Sequence, residues 1–148
     1  RDLRMSRGLG DVYKRQRQYL VYVYRAAKLQ TVLADAAVRG FLAQEGYRLP
    51  EDAADCNVLL DQLSLRLCCA AEAADFPHEI GVFLGYPLED VVGFIRHRGK
   101  CFTCCGCWKS YGDPDAAQKH FDQLSKCTAV YLRLFHSGTP ILRLAVAA

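Results

Sequence analysis

The sequence predicts an α/β fold: a single layered domain in which a mixed or parallel sheet of about three or four strands is flanked by helices. Three observations predict it. Short β-branched and aromatic runs alternate with stretches of helical period. The 148 residues suffice for one domain with a sizeable core, and not for two ordinary ones. The composition, 51% hydrophobic and 24% charged, is that of a soluble globular protein and excludes a disordered or low-complexity chain. No run of about eighteen apolar residues occurs, so neither a membrane span nor a membrane partner is expected.

The elements follow in order. Tyr19-Leu20-Val21-Tyr22-Val23-Tyr24 reads as a strand covered on both faces. Lys28 to Gln44 has Leu29, Val32, Leu33 and Ala36 at helical spacing, with Gly46 marking the end. After a turn over Leu49 to Asp52, Asp55 to Ala73 carries Leu59, Leu60, Leu63 and Leu67 along one stripe, and Phe76-Pro77 breaks it. Ile80-Gly81-Val82-Phe83-Leu84 reads as a second buried strand. Gly85-Tyr86-Pro87 then leads into a helix from about Leu88 to Arg98, with Glu89 and Asp90 suiting its positive end. Those carboxylates argue against a phosphate there, and Gly81, Gly85 and Gly93 form no dinucleotide fingerprint.

Cys105 to Tyr111 reads as a third strand, with Cys107, Lys109 and Tyr111 on one face and Gly106, Trp108 and Ser110 on the other. Asp113-Pro114 is a helix start, and Ala117, Phe121, Leu124, Tyr131 and Phe135 give that helix one apolar face until Gly138 and Pro140. Ile141 to Val146 reads as a last strand, at an edge.

The first sixteen residues differ from the rest. Asp11-Val12-Tyr13-Lys14-Arg15-Gln16, read back as GAT-GTG-TAT-AAG-AGA-CAG, resembles a transposon-end sequencing adapter. Residues 1–16 are therefore expected to be a non-native, disordered tail, and residues 17–148 a domain that has lost its natural front end, which would supply further strands. The alternative is a natural basic arm. The chain carries 19 basic and 16 acidic residues, net +3; the tail holds five basic and two acidic ones, which leaves 14 of each beyond it. The basic bias thus belongs to the tail, and no nucleic-acid partner is expected.

Four of the eight cysteines fall in Cys101-Phe102-Thr103-Cys104-Cys105-Gly106-Cys107. Soft thiolates bind zinc or iron, and the two-residue gap between Cys101 and Cys104 lets both sulfurs reach one ion. Cys107 offers a third ligand, with Cys127, His97 or His120 as a fourth, but the usual distant second pair is missing. The other readings are reduced cysteines used as small apolar residues of a cytoplasmic protein, and thiol redox chemistry. Cys56, Cys68 and Cys69, on a predicted helix, read as core fillers. His78-Glu79 pairs an imidazole with a carboxylate, as acid–base work requires, yet lacks a nucleophile, so a hydrolase is the least supported reading; the alternative role is to buttress a strand entrance.

Trp108-Lys109-x-Tyr111-Gly112-Asp113 and Gly85-Tyr86-Pro87 occupy corresponding strand-to-helix junctions in this scheme. Ligands of open α/β sheets bind beyond the carboxyl ends of strands. Tyr86 and Trp108 would wall one crevice and Lys109 would anchor a ligand, with His78, Glu79, Tyr111 and Asp113 completing the candidate set. The alternative is that the aromatics are core and Asp113 only a cap.

The run Phe76-Pro77-His78-Glu79-Ile80-Gly81-Val82-Phe83-Leu84-Gly85-Tyr86-Pro87, with Glu89-Asp90-Val91, Gly93-Phe94-Ile95 and Trp108-Lys109-x-Tyr111-Gly112-Asp113, resembles the bacterial family called domain of unknown function 3793. Tyr22-Val23-Tyr24-Arg25 and Lys28-Leu29 resemble its early strand, so the likeness runs from about Tyr19 to the end. Members are longer at the N-terminus, in agreement with an adapter-replaced front. The family brings no established activity. Its resemblance implies anaerobic gut bacteria and neighbouring flavodoxin or iron-uptake genes, which favours a metal or redox accessory role. The cysteines after Gly99 depart from the family motif, whereas Gly-Tyr-Pro and Trp-Lys belong to it. The expectation is a cytoplasmic, non-enzymatic protein that binds a small molecule or protein partner beside Tyr86 and Trp108. The alternative is a cysteine-based metal-binding or thiol-redox protein linked to iron or flavodoxin metabolism.

Overall fold

The structure, a computed structural model, describes residues 3–5, 20–52, 55–70 and 76–146. These residues are mostly helical. Their strands form two separate two-stranded antiparallel sheets, where the sequence predicted one sheet of three or four strands. The chain groups into two compact units, Arg1–Val91 and Val92–Ala148.

In the first unit, β1 (Leu3–Met5) pairs with β2 (Val23–Arg25), Leu3 opposite Arg25 and Met5 opposite Val23. Leu3–Met5 belongs to the segment read as adapter; the hexapeptide 11–16 itself lies outside the described residues. The expected strand over residues 19–24 is shorter and is not covered on both faces. Its alternation turns Tyr24 into the core, with Tyr22 stacked on it at 5.2 Å, and leaves Leu20, Val21 and Val23 in solvent.

The single helix predicted over 28–44 is two, α1 (Ala26–Ala34) and α2 (Ala36–Gln44). Asp35 divides them. Its backbone is extended, and its carboxylate accepts from the amides of Ala37 (2.8 Å) and Val38 (3.1 Å), so it caps a new helix and ends the old one. Leu29, Leu33, Val38 and Leu42 face the core. The next helix, α3 (Asn57–Ala70), buries Leu59 and Leu63 of the predicted stripe. Cys56, just before it, is buried; Cys68 and Cys69 are exposed, so these two are not core fillers.

The second predicted strand is a helical turn, α4 (Ile80–Phe83). A short apolar run reads the same in a strand and in a buried helix, so periodicity does not separate them. What decides here is the end of the turn. Gly85, at φ +81, lets the Gly85 amide reach the Val82 carbonyl and the Tyr86 amide reach the Gly81 carbonyl, a double closure that only a helix end offers. Gly81, Val82 and Phe83 are all buried.

The helix α5 (Leu88–His97) contains the boundary between units. In the second unit, the predicted strand over 105–111 is a hairpin: β3 (Cys104–Cys105) pairs with β4 (Lys109–Ser110), Cys105 opposite Lys109. The chain bends over residues 106–108, which one long strand cannot accommodate. Asp113 caps α6 (Pro114–His136), accepting from the Asp115 amide at 3.0 Å, and Gly138 ends it as expected. The predicted last strand is instead α7 (Ile141–Val146), started by Pro140, whose carbonyl receives the amides of Arg143 and Leu144.

Candidate functional site

The first unit holds a buried polar cluster around Glu79. A carboxylate this deep needs charge and hydrogen-bond partners. Arg66 of α3 donates from Nη1 to Glu79 Oε1 at 2.9 Å, and the Tyr47 hydroxyl donates to the same oxygen at 3.2 Å. The Arg66 guanidinium also lies 4.3 Å over the Tyr47 ring and donates from Nη2 to the Glu45 carbonyl. Burial, and next the negative Glu79, push the Tyr47 hydroxyl well above the ordinary tyrosine range, while Arg66 pulls the other way.

Tyr47 and Arg66 were missed by sequence reasoning. A signal existed: Arg66 sits three and seven residues beyond Leu63 and Leu59, on the same buried face, where a cation demands a carboxylate. His78, by contrast, is exposed and lies 5.6 Å from the Phe76 ring. Glu79 is thus engaged with Arg66 and Tyr47 through one carboxylate oxygen. Tyr86 is half-buried against Gly81, where a Cβ would come within 3.2 Å of its ring.

The second unit holds the remaining candidates. Trp108 stands edge-on to Phe121 at 4.7 Å and to His120 at 5.3 Å. Lys109 Nζ donates to the Gly99 carbonyl at 2.7 Å and lies 5.0 Å over the Phe102 ring. Tyr111 stacks on His97 at 5.7 Å and presses on Gly93, where a Cβ would lie 2.4 Å from its ring. Asp113 is a helix cap. Trp108 and Lys109 therefore hold the hairpin to its own unit, and Asp113 serves α6. The crevice expected beside Tyr86 and Trp108 loses its premise, because Gly85-Tyr86-Pro87 leaves a helical turn and not a strand.

The same hairpin and the residues just before it carry the cysteines. Cys101, Cys105 and Cys107 are exposed; Cys104 is half-buried, its thiol 3.7 Å from Gln118 Oε1 on α6. Among the described residues no three of His, Cys, Asp and Glu come together as a metal set would require, so Cys101, Cys104 and Cys107 do not converge as zinc or iron ligands. Cys104 turns its thiol towards Gln118 on α6, whereas Cys101 and Cys107 are exposed.

A mostly helical protein with two small antiparallel sheets and a cysteine-bearing hairpin is the class these observations define. Residues 8–145 match the family described as Protein of unknown function (DUF3793), and the chain belongs to it. No curated protein and no solved structure matches the chain. Among the described residues, no helix is long and apolar enough to cross a membrane.

Proposed function

We propose that the protein is an accessory protein working through thiol chemistry at the hairpin that follows Gly99. The observation that carries this reading is the exposure of Cys105 and Cys107 on the hairpin, and of Cys101 shortly before it, while Trp108 and Lys109 are spent on holding the hairpin in place. A free thiol packed as a small apolar residue is ordinarily buried, as Cys56 is. Exposed thiols that share one rigid support are available for exchange.

The test is a titration of the full chain in glutathione redox buffers, read by the mass of the tryptic peptide 101–109, which contains all four clustered cysteines. Reversible loss of hydrogens in pairs, undone by dithiothreitol, is the expected result. A peptide that stays reduced throughout the series, or oxidises only irreversibly, overturns the reading.

A further inference from the structure

We propose that Cys105 and Cys107 are the exchanging dithiol of this hairpin, a Cys-Gly-Cys site in which thiol and disulfide interconvert; this rests on the thiol reading above. The argument starts at Gly106. A Cβ there would lie 2.3 Å from Phe121 Cδ2, so the Gly106 backbone is pressed flat on that ring. Cys105 and Cys107, on either side of it, are both exposed.

Spacing supports the pair. Two residues of fully extended chain span roughly 7 Å between Cα atoms, just beyond the roughly 4.4–6.8 Å of disulfides. The chain bends over residues 106–108, where the Gly106 amide donates to the Trp108 carbonyl at 3.0 Å, and Gly106 has the backbone freedom to bring its two neighbours within that range. The other pairings lack this arrangement. Cys104 turns its thiol towards Gln118, away from Cys105, and Cys101 lies outside the hairpin at φ 59.

The exchange balances with a low-molecular-weight disulfide, such as oxidised glutathione, as oxidant. The Cys107 thiolate attacks one glutathione sulfur; a mixed disulfide forms and the first glutathione leaves as thiolate. The Cys105 thiolate then attacks Cys107 Sγ, the protein disulfide closes and the second glutathione leaves. Two electrons pass from the dithiol to glutathione, and the two cysteine protons end on the released thiols. A bridge closing so short a loop constrains the unfolded chain little and is readily reduced, as exchange requires.

The experiment uses the full chain in the glutathione series with three variants. Cys101→Ser/Cys104→Ser is expected to lose two hydrogens from peptide 101–109 at the same buffer ratio as the parent. Adding Cys105→Ser or Cys107→Ser to it should abolish that loss and leave one glutathione on the remaining cysteine. Fragmentation of the oxidised parent peptide provides a measurement without substitution: backbone cleavage between residues 105 and 107 should be suppressed. If the parent oxidises but the Cys101→Ser/Cys104→Ser variant does not, or the parent fragments freely between residues 105 and 107, the pair is misassigned while the thiol reading stands. A parent that never oxidises sinks both.

Discussion

Glu79 is 4% exposed, yet it carries a charge, and two side chains on other segments converge on one of its oxygens. Removing one partner of a buried ion pair costs more than forming it gains, because the survivor stays desolvated. Arg66→Ala should therefore destabilise the chain by about 3 kcal/mol, the low end for such pairs because Arg66 keeps 34% of its side chain in solvent. Urea denaturation measures this, and a loss within experimental error would mean that the ion pair contributes nothing net to stability. Tyr22 offers a second residue-scale prediction. Its hydroxyl donates to the Phe83 carbonyl, and burial, followed by Tyr24 and Cys56, pushes it up from 10.0 to about 12. The unfolded chain then ionises first, so this contribution is complete below pH 10 and is lost as pH rises from 10 to about 12. Tyr22→Phe should flatten the fall in melting temperature over that window; a slope equal to the parent's would assign the fall elsewhere.

At the scale of elements, two junctions decide the local architecture. Asp35 separates α1 from α2 through its two amide contacts, and Asp35→Ala should cost about 1 kcal/mol. Loss of helical circular dichroism on mild heating would accompany it; an unchanged profile would mean that packing alone ends α1. The hairpin β3–β4 is seated on α6 by Gly106 against Phe121. Gly106→Ala forces a methyl into that ring and should destabilise the chain by about 1–3 kcal/mol. Combining it with Phe121→Leu should recover part of the loss if the clash is the cause, and thermal unfolding of the single and double variants separates the two cases. Much of this scale was legible: Leu88 and Asp113-Pro114 mark where α5 and α6 begin, and Gly46 and Gly138 where α2 and α6 stop. The readings that failed include Ile80 to Leu84 and Ile141 to Val146, apolar runs too short to show a period, as well as the unbroken helix over 28–44 and the single strand over 105–111.

For the whole molecule, charge is the property the sequence states outright. Residues 17–148 are balanced, and the excess of +3 lies in the first sixteen residues. Retention on an anionic matrix at low salt should accordingly disappear when the chain starts at Arg17. Persistent retention would locate a basic patch in the body that composition does not reveal. That the strands of the described residues form two sheets rather than one belongs to this scale too. Each pair of strands is two or three residues long, and the cores are built by helices instead: Leu33, Leu42, Leu59 and Val82 in the first unit, Ala117 and Phe121 in the second.

The sequence by itself determined the family, the charge balance, the termini of the longer helices and the clustering of four cysteines, because each is carried by neighbouring residues. Tertiary structure alone decided which thiols are exposed, that Trp108 meets Phe121 and Lys109 the Gly99 carbonyl, and that Glu79 meets Arg66 and Tyr47. These depend on distant segments meeting in space: Phe121 lies fifteen residues beyond the glycine it underlies, and Glu79 thirteen beyond Arg66. Side-chain direction at such meetings is set by packing, which no local pattern encodes.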